Sequence, residues 1–216
     1  MIKIDNKGKF YEKFWEEHQN ESLGDFSYKW PAIKNYLPKN RNITILDFGC
    51  GTGIFIGKLK EANPQSHLIG IDISREGIKQ AKKKFPDVKF HVVQDGQIFP
   101  LIDSSVDFIL ATDVIEHVYE TDKTLAEFYR ILKPNGKLLL TTPYHGLIKN
   151  LIIVLFAFEK IFDPLEAHIR FYTKKSLFQI LKKQGFEINK YGRFGRFYPF
   201  SRAVFVIAHK TSHSKK

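Results

Sequence analysis

A single cysteine, Cys50, occurs among 216 residues. That excludes a disulfide framework and fits a reducing compartment. Acids are nearly missing from one end. From Arg170 to Lys216 there are 12 Lys or Arg and a single acid, Glu187. Residues 1 to 169 carry 22 basic and 22 acidic side chains, so the net charge of +11 belongs to the C-terminal quarter. Such a quarter implies a local positive face for the phosphates of a lipid surface, a nucleic acid or a substrate; the plain alternative is a solvated surface with a disordered tail at 211–216. The run Leu151 to Phe158 holds eight apolar residues, far short of the ~20 that span a bilayer. The N-terminus, Met1-Ile-Lys-Ile-Asp-Asn, has no apolar core like that of a secretory leader. A cytoplasmic chain of one domain, large enough to bury a substantial core, is expected.

The most informative stretch present is Ile45-Leu-Asp-Phe-Gly-Cys-Gly-Thr-Gly-Ile-Phe55. It reads as a buried strand, a glycine turn and the first turn of a helix running to about Ala62. Helix N–H groups pointing into the turn make a cradle for a polar or anionic ligand. Leu68-Ile-Gly-Ile-Asp72 is a second apolar run ending in an acid, about 20 residues after the glycines. That spacing puts Asp72 at the tip of a neighbouring parallel strand, where it can accept both hydroxyls of a ribose. A dinucleotide and an adenosyl ligand both fit at this point. The spacing of Gly49, Gly51 and Gly53 is G-x-G-x-G, not the G-x-G-x-x-G of a pyrophosphate site. Asp47, inside the motif, would repel a pyrophosphate and suits the cationic amino-acid end of S-adenosylmethionine. Cys50 between the glycines reads as a small residue filling a tight turn; a nucleophile there would lack a base nearby in sequence.

With Asp47-Phe-Gly-Cys-Gly-Thr-Gly53, Gly70-Ile-Asp-Ile-Ser74, Asp95-Gly96, Asp113-Val-Ile-Glu-His-Val118 and Leu132-Lys-Pro-Asn-Gly-Lys-Leu-Leu-Leu140, the chain resembles the class I S-adenosylmethionine-dependent methyltransferases over roughly residues 40 to 190. The resemblance implies a Rossmann-like α/β fold: a seven-stranded sheet of order 3-2-1-4-5-7-6, its last strand antiparallel, with helices on both faces. It implies S-adenosylmethionine as cofactor and S-adenosylhomocysteine as product. Asp47, Gly49, Cys50, Gly51 and Gly53 would shape the cleft, with Asp72 and Ile73 at the ribose. Asp95 would accept the adenine amino group, with Gly96 keeping the backbone near the ring. Thr112 and Asp113 would line the cleft at the end of the fourth strand.

One domain is expected over 1–216. It divides into an N-terminal helical cap (1–40), a cofactor-binding core (41–142), an apolar insertion or lid (143–172), a C-terminal helix and β-hairpin (173–210) and a tail (211–216). In the cap, Phe10, Phe14 and Trp15 have helical spacing, and plain packing on the domain is the favoured reading of Phe14 and Trp15. Trp30-Pro31 reads as the start of a second helix. Ser74 caps a helix with Ile78, Ala81 and Phe85 inside and a row of lysines outside. His117 can serve as general base on an acceptor hydroxyl, fix the local loop, or join Glu116 at a metal ion as in some quinone O-methyltransferases that resemble this chain; no metal set is assigned. His168, in Ala167-His-Ile-Arg-Phe-Tyr-Thr173, is the second candidate base, with a structural role as its alternative.

The apolar insertion reads as a lid over an apolar substrate, a dimer face, a helix in a membrane interface, or a helix buried by its own domain. The resembling ubiquinone-pathway O-methyltransferases carry a similar insertion. Peripheral membrane contact through 147–162 and the basic quarter, and a monomer or homodimer, follow as expectations. Between the last two strands, Gly192-Arg-Phe-Gly-Arg-Phe-Tyr-Pro-Phe-Ser-Arg202 mixes arginines with aromatics and could stack and hold a phosphate or a sugar.

The leading reading is O-methylation of a small or lipid-like acceptor: a quinone precursor, a glycan or a natural-product intermediate. The second is an RNA or DNA methyltransferase using the basic quarter, although a nucleic-acid partner is disfavoured. The third is a non-catalytic cofactor-binding or membrane-associated subunit.

Overall fold

A computed structural model describes residues 5–17, 26–161 and 169–211, and the side chains of 5–7 and 160–161 lie outside that description. Helices α1 (Asp5–Glu17) and α2 (Phe26–Ile33) precede β1 (Thr44–Phe48). Then come α3 (Ile54–Ala62), β2 (His67–Asp72), α4 (Arg75–Lys84), β3 (Lys89–Val92) and β4 (Val106–Thr112). The second half holds α5 (Thr121–Ile131), β5 (Leu132–Pro143), α6 (Leu147–Phe156), α7 (Phe158–Ile161), α8 (Lys174–Lys183), β6 (Phe186–Phe194) and β7 (Ala203–Lys210). The strands form one sheet of order β3-β2-β1-β4-β5-β7-β6. Pairs from β3 to β5 are parallel, and β7 is antiparallel to both its neighbours. This is the expected fold class.

The sheet is sandwiched because its strands are apolar on both faces. Alternation with period two sends β1 Leu46, β5 Leu138 and Leu140, and β7 Val204 and Val206 to one side, against α5 and α8. It sends Ile45, Leu139, Phe205 and Ile207 to the other side, against α2, α3 and α4. Each such fully buried side chain is worth ~1.5–3 kcal/mol of transfer free energy. The helix ends follow local chemistry. Ser74 caps α4 by accepting the Gly77 N–H, and Thr173 and Ser176 form a reciprocal capping box on α8.

Two expectations shift. The second helix begins at Phe26, so Pro31 lies inside it, and Trp30 marks its middle. The apolar insertion does form a helix, but no residue of α6 is buried. Leu147 is 86% exposed and Phe156 82%, so burial by its own domain is overturned. The reason is that apolar residues run around the helix instead of along one stripe, and one contact face cannot cover them. No helix among the described residues is long and apolar enough to cross a membrane.

Candidate active site

The chain leaves β1 through the glycine turn. The N–H groups of Gly49 and Cys50 both donate to the Ile71 carbonyl of β2, at 2.7 and 3.1 Å. Gly49 and Gly51 take φ of +76° and +49°. A Cβ on Gly49 would lie 2.1 Å from Val114 Cγ2, and one on Gly51 would lie 2.3 Å from the Trp15 ring. Glycine is needed at both places by backbone conformation and by space.

That slot explains α1. The Trp15 indole lies over Gly51 and beside Gly77 of α4, and Gln80 Nε2 donates to the Trp15 carbonyl at 2.9 Å. Glu12 fastens the same helix to the start of α4. Its carboxylate accepts the N–H groups of Arg75 and Glu76, each at 2.7 Å, and the Ser74 hydroxyl at 2.9 Å. An acid at a helix N-terminus satisfies orphan donors and meets the positive dipole end. Phe14 and Trp15 therefore do more than pad the domain: with Phe10 and Tyr11 they form one wall of a cavity of about 490 Å³.

This cavity opens at the carboxyl ends of β1, β2 and β4, the ligand position of open α/β sheets. Of the residues predicted to meet a cofactor, Gly49, Cys50, Asp72, Ile73, Asp95, Thr112 and Asp113 line it. Asp47, Gly51, Gly53 and Gly96 are not among its lining residues. Asp72 organises the turn first: its carboxylate accepts the N–H groups of Gly51 and Ser74, each at 2.8 Å. Burial raises its pKa, and those backbone donors pull against the rise. Asp95 accepts the N–H groups of Tyr119 and Glu120 at 2.6 and 3.1 Å. A carboxylate has about four lone-pair sites, so Asp72 and Asp95 both keep acceptor capacity toward a ligand.

Asp47 is buried, and neither carboxylate oxygen has a hydrogen-bond partner among the described residues. Burial, with Asp72 adding to it, pushes its pKa up to about 8. A buried acid without a donor is expensive. An incoming ammonium would relieve that cost, so the donor set fits the amino-acid end of an adenosyl sulfonium.

Beyond the cofactor residues lies a charged cluster that sequence reasoning missed. Lys29 of α2 is 7% exposed, and its Nζ sits 2.6 Å from Asp113 Oδ2. The Thr141 hydroxyl donates to the other oxygen of Asp113. Glu116 is fully buried nearby, and burial together with Asp113 pushes its pKa well up. Its backbone carbonyl accepts the N–H groups of both Ile169 and Arg170, and the Arg170 guanidinium holds the carbonyls of Val118 and Tyr119. His117 lines the cavity, its ring edge-on to Tyr11 with centroids 6.0 Å apart. His168 lies outside the described residues. No cluster of three or more metal-ligating side chains occurs among the described residues.

Comparison with known proteins agrees with this geometry. A family described as a methyltransferase domain matches residues 17–191. An uncharacterised Methanocaldococcus jannaschii protein is 29% identical over 189 residues, covering 87% of this chain and 82% of that one. A malonyl-[acyl-carrier protein] O-methyltransferase of Methylococcus capsulatus is 30% identical over 145 residues, covering 66% of this chain. The chain spans only 51% of that relative's length, and 34% of a Streptomyces fradiae transposon protein to which it is 38% identical over 120 residues. Among solved structures, a methyltransferase of Aquifex aeolicus superposes with a TM-score of 0.67 at 17% identity, covering 97% of this chain and 99% of that one. One from Methanosarcina mazei gives 0.65 at 24% identity, covering 85% and 98%; these likenesses show the fold. With sheet order, glycine turn and acid-tipped second strand all in place, the chain belongs to the methyltransferase-domain family, as a class I S-adenosylmethionine-dependent methyltransferase.

Proposed function

We propose that the chain transfers a methyl group from S-adenosylmethionine to a hydroxyl of a small or lipid-like acceptor. The observation that carries this reading is the composition of the 490 Å³ cavity. The carboxylates of Asp72, Asp95 and Asp113 and the backbone of Gly49 line it, while Phe10, Tyr11, Phe26, Tyr28 and Phe55 give it an apolar wall beside His117. When bound, the sulfonium supplies an electrophilic methyl group, and the protein's task is orientation. Asp72 would hold the ribose, Asp95 the adenine amine and Asp47 the ammonium. The aromatic wall excludes water from the acceptor. His117, on the cavity wall, would take the hydroxyl proton at an imidazole nitrogen. His168 stays a second candidate base.

The test is a panel of phenolic, glycan and lipid-like alcohols with labelled S-adenosylmethionine, on the wild type and His117→Ala. Turnover of a hydroxyl acceptor that falls ~10²–10⁴-fold in the variant, with cofactor affinity kept, is expected. Transfer to nitrogen or to RNA instead would overturn the acceptor assignment.

A second reading concerns attachment, and α6 favours it. Leu147, Leu151, Leu155, Phe156 and Phe158 are exposed beside Lys149, Arg193 and Arg196. We infer that this face meets an anionic bilayer, apolar side chains entering the interface and cations meeting headgroups. Co-sedimentation with vesicles containing phosphatidylglycerol should fall sharply for Leu151→Lys/Leu155→Lys. Equal pelleting of variant and wild type, or conversion of a dimer to a monomer without change in pelleting, would remove the idea.

A further inference from the structure

A second cavity, of about 540 Å³, opens on the α8 side of the sheet, where β5 ends and β7 begins. Tyr144, His145, Tyr172, Lys174, Tyr191 and Arg193 line it, and no carboxylate does. The two cavities are close neighbours. Pro143 lines the first and Tyr144 the second, and consecutive residues are ~3.8 Å apart at Cα.

The cations here differ from those neutralised elsewhere on the molecule. Lys60, Lys133, Lys183 and Arg130 each pair with a carboxylate within 2.7 Å. Lys174 and Arg193 pair with none among the described residues. Instead the Lys174 ammonium lies over the Tyr191 ring at 5.2 Å and the Phe178 ring at 5.4 Å. The Arg193 guanidinium lies over Tyr198 at 4.5 Å and Tyr144 at 5.8 Å. Aromatic faces fix these heads without neutralising them. Burial raises the Tyr191 phenol, so its hydroxyl stays protonated and able to donate. Lys149, at the start of α6, donates to the carbonyls of Tyr144 and Ser201 and holds this end of β5 against the β6–β7 loop.

An ammonium, a guanidinium fork and a phenolic hydroxyl around one acid-free hollow match the oxygens of a phosphate. The tyrosine rings match the flat or apolar face of whatever carries it. We propose that this second cavity binds the phosphate of a phosphorylated methyl acceptor, with Lys174 and Arg193 as its ligands. The proposal rests on the methyl-transfer reading above and adds the chemical class of the acceptor. A water-soluble phosphate ester and a phospholipid-like headgroup share that chemistry. No covalent step occurs here; the pocket positions the far end of the acceptor while the reacting hydroxyl lies in the first cavity.

The test uses the whole chain, the double variant Lys174→Gln/Arg193→Gln, and three probes: S-adenosylhomocysteine, pyrophosphate, and vesicles with or without phosphatidic acid. Both substituted side chains are exposed, so folding should persist. The expected result is saturable pyrophosphate binding weakened at least ~10-fold in the variant, with S-adenosylhomocysteine affinity unchanged. Phosphatidic acid vesicles that compete with pyrophosphate would assign the headgroup source; vesicles that do not would assign a soluble ester. Pyrophosphate binding that is absent, or equal in variant and wild type, overturns the proposal while S-adenosylhomocysteine still binds. Loss of S-adenosylhomocysteine binding by the wild type would instead strike the methyl-transfer reading. A single-stranded oligonucleotide that binds more tightly than pyrophosphate and is released by the same double substitution would overturn it in favour of nucleic acid.

Discussion

The two cavities sit at the same edge of the same sheet, yet one is lined by three carboxylates and the other by none. Asp72, Asp95 and Asp113 face the hollow at the ends of β1, β2 and β4, with Asp47 buried but not lining it. Lys174 and Arg193 face the hollow at the ends of β5, β6 and β7. The parallel half turns its helix starts and tight turns toward that edge, and acids there are held by N–H groups: Glu12 at α4, Asp72 at Gly51 and Ser74, Asp95 at Tyr119 and Glu120. The antiparallel half offers aromatic rings to its cations instead. The two-signed edge is the spatial form of the charge imbalance along the chain. It teaches that a cationic cofactor and an anionic acceptor can be sorted before either reaches the other.

The largest effect on stability should come from Lys29, which with Arg202 is one of two Lys or Arg side chains on the wall of the acidic cavity. Lys29→Met removes the ion-pair partner of Asp113, whose side chain is 16% exposed, and leaves it beside Glu116 with the Thr141 hydroxyl. Breaking this largely desolvated pair should cost about 2 kcal/mol, below the ~3–5 kcal/mol of a fully buried one, readable as a lowered denaturant midpoint; an unchanged midpoint would erase Lys29 from the contrast. The largest effect on binding is that of Asp72→Ala, which should weaken S-adenosylhomocysteine binding ~100-fold, since hydrogen bonds to charged groups are worth ~1.5–3 kcal/mol each. Calorimetry would read it, and an equal loss in Arg193→Gln would dissolve the division between the cavities.

A smaller and pH-dependent effect concerns Asp47. Its carboxyl pKa, pushed up to about 8 in the folded protein, lies well above the ordinary value of about 4. Its contribution to apo stability is therefore fully present below about 4 and is lost as pH rises through about 8. A ligand ammonium beside it reverses the preference, so binding at pH 6 should release up to one proton. Calorimetry in buffers of different ionisation enthalpy measures that proton, and Asp47→Asn should abolish its release. The smallest expected effect on stability is that of Arg193→Gln, within ~0.5 kcal/mol for an exposed side chain. The same variant should raise the KM of a phosphorylated acceptor ~10-fold and leave that of the cofactor alone.

The sheet was legible because its signals are local. The apolar runs ending at Phe48 and Asp72, the Ser74 cap and the glycine turn each reside within a few residues. Sheet order and the antiparallel hairpin followed from the family resemblance. The site was legible where it coincides with those signals, at Gly49, Asp72 and Asp95. It was opaque where it depends on contacts more than thirty residues apart. Glu12 at the start of α4, Trp15 over Gly51 and Lys29 against Asp113 are all of that kind. Nothing near Lys29 in the chain announces a buried charge; Tyr28 and Trp30 on either side read as ordinary aromatics. The signal for Trp15 lies at the other end of the contact, where Gly51 lacks a side chain and leaves room for the ring.

The double grip of Ile169 and Arg170 on the Glu116 carbonyl gives the far end of the apolar insertion a mooring beside His117. A substitution that loosened this mooring would therefore be felt at the His117 side of the cavity before it was felt in the sheet.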